Sequence, residues 1–290
     1  MLTPASESSY RSFERIPTGI PQLDELTNGG IPRKYTTEII GEAGTGKSTL
    51  AMFVVREAQK LGLRCVYADV ERTFAFSFAD KLGINLDKLQ MLYADTAEEY
   101  FEEILSLIKK KKVDLVVIDS FGALESAEDA ELKTKGYPSL ALLVSRFLPK
   151  MTTMLPEGNV SLIIVNHEKN DFMGGKRLLG GKSMKFHKSL SLKLYHNGRK
   201  VEQGDEVVGK EVMIKLEKIK PHLGGIPWSE CKVHYIRDKG FTYVLSLMEK
   251  ALESGVLEKR GNTYFYGEEK IGTKSKAQEW AELHKELLNK

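Results

Sequence analysis

The sequence predicts an α/β protein with a mostly parallel central sheet, an antiparallel edge to that sheet and a small α+β lobe towards the C-terminus. Three observations carry this expectation. Short β-branched runs at residues 113–118 and 160–165 read as strands buried on both faces. Helical patterns long enough to serve as crossovers separate them, as parallel strands require. Beyond about residue 189 the segments alternate polar with apolar residues, as antiparallel strands with one wet face do.

Each element follows in order. Residues 1–14 are polar and Ser-rich, an N-terminal arm; residues 15–240 form the expected core and 241–290 the lobe. Turn residues (Pro17, Gly19, Asn28 to Gly30, Pro32) flank a short amphipathic piece at 20–26. Residues 35–40 read as a strand running into a Gly-rich turn, and 47–60 as a helix that Gly62 ends. A strand at 64–70, a helix at 73–82, a short strand at 91–93 and a helix at 96–112 follow. Thr96 and Glu99 are spaced as a capping box for the last of these. Residues 139–155 predict a helix broken near Pro149. Antiparallel-type strands are expected at 190–195, 211–218 and 231–235. The lobe should hold a helix at 243–252, a hairpin at 256–267 turning near Gly261 and Asn262, and a closing helix at 275–288.

Composition narrows the class. The chain has 290 residues, 43 Lys and Arg against 40 Asp and Glu, and a formal charge of +3. Such a balance suits a soluble globular protein. Two cysteines exclude a disulfide scaffold and a four-cysteine zinc site. No apolar run approaches the ~20 residues of a membrane span, and residues 1–10 lack the apolar core of a signal peptide. The expectation is therefore a cytoplasmic protein that needs no membrane. The charge is uneven, however. Residues 167–200 carry nine Lys and Arg against Glu168 and Asp171, a local +7 that leaves −4 for the remainder. A basic stretch of this density is a footprint for a phosphate backbone.

Gly41, Glu42, Ala43, Gly44, Thr45, Gly46, Lys47, Ser48 and Thr49 fit GxxxxGK[ST] between a predicted strand and a predicted helix. Glycines allow a turn whose N–H groups converge on a phosphate, and the helix adds its positive end. Lys47 then reaches the β- and γ-phosphates, and the Ser48 hydroxyl is a ligand for Mg²⁺. Asp119 ends the buried run 116–119 at the sheet edge where ligands bind, a second Mg²⁺ position. Glu71, closing the strand after the phosphate-loop helix, is placed to orient an attacking water.

Taken together, these residues resemble the RecA-type recombinases, including the phage UvsX-type proteins, from about Glu14 onward. The resemblance rests on ordered motifs. Ile16 to Gly19, then Leu23-Asp24 and Gly29-Gly30, look like the family's lead-in to its phosphate loop. Asp69-Val70-Glu71 looks like its D-A-E, and Asp119-Ser120 with Ala123-Leu124 like its acidic strand end. Asn166-His167 stands where RecA has N-Q. Residues 180–186 (GGKSMKF) resemble its GGNALKF, Lys218 and Lys220 its K-x-K pair, and residues 264–272 with Trp280 its small C-terminal lobe.

The resemblance implies an ATPase that uses ATP and Mg²⁺, forms a helical filament on single-stranded DNA and pairs it with homologous duplex DNA. It implies a bacterial or phage-infected cytoplasm, and a single-strand-binding or loading protein as a further partner. Glu71 is then the catalytic glutamate, His167 a γ-phosphate sensor, and Phe78 the ring stacked on adenine. Lys218 and Lys220 reach the neighbouring subunit's nucleotide. Residues 126–138 and 168–179 become DNA-binding loops. Lys169, Phe172, Gly174, Gly175, Lys176, Arg177, Lys182 and Lys185 are the expected DNA contacts. Three departures stand out: a short stretch ahead of Arg15 in place of the family's N-terminal helix, Ala75 where RecA has an acid facing the adenine, and an acidic first loop (Glu125, Glu128, Asp129, Glu131). A RecA-like accessory ATPase that does not itself exchange strands is the alternative reading.

Overall fold

A computed structural model describes residues 14–125, 137–170, 176–177, 181–203 and 206–284. The chain divides into two compact units, Met1–Tyr195 with Met213–Cys231, and His196–Val212 with Lys232–Lys290.

The first unit opens with β1 (Arg15–Ile16), α1 (Pro21–Leu26) and β2 (Ile31–Pro32), with β1 and β2 antiparallel. Then come β3 (Thr36–Gly41), α2 (Lys47–Lys60), β4 (Cys65–Asp69), α3 (Phe76–Lys81), β5 (Leu89–Leu92), α4 (Ala97–Lys109) and β6 (Leu115–Asp119). They are followed by α5 (Tyr137–Gly158), β7 (Ser161–His167), the short strands β8 (Lys169–Asn170) and β9 (Lys176–Arg177), α6 (Gly181–His187), β10 (Leu190–Gln203) and β11 (Glu206–Ile219). Six strands lie parallel in the order β10-β3-β7-β6-β4-β5. Non-consecutive neighbours require crossovers, and α2, α4 and α5 supply them.

Sequence explains most of these elements. β3, β4 and β6 are buried at every position, as strands covered on both faces must be. The α4 N-terminus carries the expected capping box: Glu99 N–H donates to Thr96 Oγ1 at 3.3 Å, and the Glu99 carboxylate takes the N–H groups of Asp95 and Thr96. The inner face of α4 (Tyr100, Phe101, Ile104, Ile108) packs with Val144, Phe147 and Met151 of α5 in one core. There Phe101 and Phe147 stack with ring centroids 4.0 Å apart.

Several expectations need correction. The helix at 137–158 is not broken near Pro149 but runs through both Pro149 and Pro156. Pro149 and Ser145, whose carbonyl loses its helical donor, lie on the exposed side, where water can replace that bond, while Leu148, Met151 and Leu155 stay buried. The strand beginning at Leu190 is longer than expected and pairs with β3 in parallel, Leu190 opposite Thr37 and Leu194 opposite Gly41. Alternation implied one wet face, but Ser191 on that face is fully buried, and alternation says nothing about direction. The helix expected at 73–82 is confined to Phe76–Lys81, because residues 70–75 form a turn around the Asp69 carboxylate.

The second unit contains the outer parts of β10 and β11, most of β12 (Glu230–Ile236), β13 (Gly240–Thr242), α7 (Val244–Glu253), β14 (Glu258–Arg260), β15 (Thr263–Tyr266), β16 (Glu269–Gly272) and α8 (Lys274–Leu283). β12 and β13 are antiparallel, as are the three strands β14-β15-β16; the third of these was not foreseen. Leu247, Met248, Ala251, Leu257, Tyr264, Ala277 and Ala281 form its own core. Among the described residues no helix is long and apolar enough to cross a membrane.

Candidate nucleotide site

Parallel pairing in register brings four strand ends to one edge. Gly41 at the end of β3 lies opposite His167 at the end of β7, and Asp69 at the end of β4 lies opposite Asp119 at the end of β6. The strand order places β7 between β3 and β6. A sheet edge of this kind is where ligands bind in open α/β folds.

The phosphate loop leaves β3 at Gly41. A Cβ at this position would meet the Leu194 carbonyl oxygen at 2.3 Å, so the neighbouring strand requires glycine. Gly46, at φ +90°, turns the chain into α2 in a conformation only glycine adopts readily. Glu42, Ala43 and Gly44 are exposed at the tip, whereas Thr45, Lys47 and Thr49 are buried. Thr45 Oγ1 and Lys47 Nζ donate to the Glu42 carbonyl at 2.9 and 2.8 Å and close the loop on itself. Burial brings the Lys47 ammonium down to about 8, against the pull of Asp119, Glu71 and Glu168.

Asp119 is buried at the end of β6. Its Oδ2 accepts a hydrogen bond from the Tyr67 hydroxyl at 2.5 Å, and its Oδ1 has no hydrogen-bond partner among the described residues. Burial raises its pKa, the Tyr67 and Ser48 hydroxyls oppose that rise, and Asp69 and Glu71 add to it. Asp69 is used differently: its two oxygens take the backbone N–H groups of Thr73 and Phe74 at 3.1 and 2.9 Å. Glu71 therefore does not end the strand as expected. It is exposed on the turn that Asp69 holds, beside Arg72 at φ +55°.

His167 Nε2 lies 3.2 Å from Ser120 Oγ, the residue after Asp119. The next residue, Glu168, donates its N–H to the Gly41 carbonyl at 3.3 Å and pairs with Lys193 at 2.7 Å. Behind this edge Glu38, fully buried, takes Lys188 at 2.5 Å and Asn166 Nδ2 at 3.0 Å.

Lys218 and Lys220 stand in another group. Lys218 Nζ donates to the Lys185 carbonyl at 2.7 Å, and burial together with Lys188, Lys220 and Lys185 lowers its pKa against Glu38. Phe78 is half-buried on α3, two residues from Phe76, which is 48% exposed. Of the expected DNA contacts, Lys185 is exposed on α6, where Lys182 also lies; Lys169 is on β8, and Lys176 and Arg177 are on β9. Phe172, Gly174 and Gly175 lie outside the described residues, as do 126–136 of the first loop. Tyr67 and the Glu38–Lys188 pair were not singled out from sequence, and Ser120 and Glu168 entered only as the residue after Asp119 and as an acid of the basic stretch. A hydroxyl in the otherwise apolar run 65–68 was the available signal for Tyr67.

The residues present fit a nucleoside triphosphate with Mg²⁺. The orphaned buried oxygen of Asp119 suits a cation's hydration shell, and the Ser48 hydroxyl acts on the same carboxylate. Fold and site together define a P-loop ATPase. The RecA N-terminal domain family matches residues 3–242. A RecA protein of Thermus aquaticus is 34% identical over 281 residues, covering 94% of this chain and 82% of its own length. One of Aquifex pyrophilus is 33% identical over 283 residues, covering 95% and 80%. One of Fusobacterium nucleatum subsp. nucleatum is 32% identical over 296 residues, covering 99% and 77%. The chain belongs to the RecA family and is a DNA-dependent ATPase of the recombinase type.

Proposed function

We propose that the chain assembles as a helical filament on single-stranded DNA and uses ATP with Mg²⁺ to promote homologous pairing and strand exchange. The observation that carries this reading is the contact between Ser120 and His167. It joins the acidic end of β6 to the end of β7, one residue before the chain bonds to Gly41 and enters the basic segment. A change at the γ-phosphate position is thereby transmitted to the residues suited to hold DNA.

In this reading Lys47 moves from the Glu42 carbonyl to the β- and γ-phosphates, while the N–H groups of residues 42–49 cradle them. Ser48 and Asp119 hold the cation, which when bound neutralises charge on the phosphates. Glu71 orients the attacking water, His167 senses the γ-phosphate and Phe78 packs on the base. Lys218 and Lys220, crowded by other cations, act on the nucleotide of a neighbouring subunit. Lys169, Phe172, Gly174, Gly175, Lys176, Arg177, Lys182 and Lys185 follow the DNA backbone. The core at 15–240 carries the ATPase and DNA sites, and the lobe at 241–290 is appended to it. The setting is a bacterial or phage-infected cytoplasm, with a single-strand-binding or loading protein as partner.

The test is ATP turnover with and without single-stranded DNA, alongside joint-molecule formation between a single strand and a homologous duplex. Stimulated turnover with strand exchange is expected. Stimulated turnover without exchange would replace this reading with that of an accessory ATPase. The Lys47→Ala variant should lose turnover by about 10³-fold or more. Replacing Lys176 and Arg177 together with alanine should flatten the salt dependence of single-strand binding by about 1.4 units in log–log slope.

A further inference from the structure

Tyr67 stands within β4, 1% exposed, and brings a hydroxyl into a strand whose other inner residues are apolar or small. A buried hydroxyl needs a hydrogen-bond partner. Its partner is Asp119, whose Oδ2 accepts the hydrogen bond at 2.5 Å. The ring is braced. Phe74 meets it edge-on, with centroids 4.8 Å apart and planes at 66°. The Phe74 N–H is in turn tied to Asp69 Oδ2 at 2.9 Å. Pairing of β4 with β6, Asp69 opposite Asp119, fixes the separation of donor and acceptor. The result is a carboxylate with one oxygen engaged and the other, Oδ1, buried and without a hydrogen-bond partner among the described residues.

The torsion that turns an aspartate carboxylate is broad and roughly two-fold, so an unbraced group presents either oxygen over a range of directions. Mg²⁺ is less forgiving: it demands near-octahedral oxygens and keeps several of its waters. A carboxylate that holds the ion through water serves best with one oxygen in a fixed direction. We infer that Tyr67 is a positioning residue for the cation: by engaging Oδ2 it commits Oδ1 of Asp119 to the hydration shell of nucleotide-bound Mg²⁺. This rests on the reading of Asp119 as the cation-side carboxylate.

The experiment measures equilibrium binding of a fluorescent methylanthraniloyl-ATP to the full chain, first in EDTA and then across a MgCl₂ titration. Tyr67→Phe removes one oxygen and keeps the ring. It should leave affinity in EDTA unchanged and raise the Mg²⁺ concentration for half-maximal enhancement about tenfold, the usual loss when an outer partner of a metal site is removed. In an Asp119→Asn background the same substitution should add nothing. An unchanged half-saturation in folded Tyr67→Phe, with Asp119→Asn altering it, overturns the role of Tyr67 alone. If Asp119→Asn itself leaves the Mg²⁺ dependence intact, the underlying assignment of Asp119 fails instead. Should Tyr67→Phe not fold, Phe74→Leu keeps the hydroxyl and removes the brace. It should shift half-saturation in the same direction, and no shift would overturn the inference.

Discussion

Two aspartates face each other across adjacent strand ends, and their surroundings assign them opposite tasks. Asp69 closes β4 with both oxygens on backbone N–H groups, so its bonding capacity goes into a turn. Asp119 closes β6 with one oxygen on a side-chain hydroxyl and the other unpartnered among the described residues. Sequence alone shows an acid at or near the end of each of two short apolar runs. The difference between building a turn and meeting a ligand lies in which donors surround each oxygen.

Substitution at each end should fail in a different way. Asp119→Asn should lower ATP turnover by about 100-fold. Its stability should stay within about 1 kcal/mol, since burial already disfavours the charged form. Steady-state kinetics and urea unfolding measured together would reveal a loss of fold instead, and that would break the contrast. Asp69→Ala should act through the fold, leaving two N–H groups without their acceptor at a cost of about 2–4 kcal/mol. Urea unfolding midpoints check it, and an unchanged midpoint would make the turn independent of Asp69. The smallest effect is expected at the opposite end of β4. Burial, with some help from Asp114 and against Arg33, pushes the Cys65 thiol up to about 12. Iodoacetamide at pH 8 should leave Cys65 unmodified in the native protein and label it after denaturation, as mass spectrometry would show.

The regions that sequence made legible are those where a local rule decides. The α2 helix, Lys47–Lys60, has the limits its pattern predicts, because Gly46 and Gly62 punctuate it. The Thr96 and Glu99 pair caps α4 as spacing alone requires. Non-local facts were not legible. Whether β10 runs parallel to β3 depends on the chain's path across the sheet, which the pattern of Leu190, Leu192 and Leu194 does not encode. Pro149 breaks a helix only where water cannot reach the freed carbonyl, and exposure is a tertiary property. At the site, Lys47, Ser48 and Asp119 were found from motif, but Tyr67 was not. Its partner lies 52 residues away on a neighbouring strand.

The two glycines that frame the phosphate loop impose overlapping limits on what selection can tolerate there. Gly46 is excluded from change by its own backbone angle, so a substitution would be felt first in the helix start. Gly41 is excluded twice over, by its own φ of +155° and by the Leu194 carbonyl on the strand alongside. In a library of all substitutions, side-chain changes elsewhere should rescue variants at neither glycine, because the obstacles are the residue's own backbone and, at 41, a main-chain oxygen. The first glycine of the motif thus answers to its own backbone and to the strand beside it, and the last to the turn it makes.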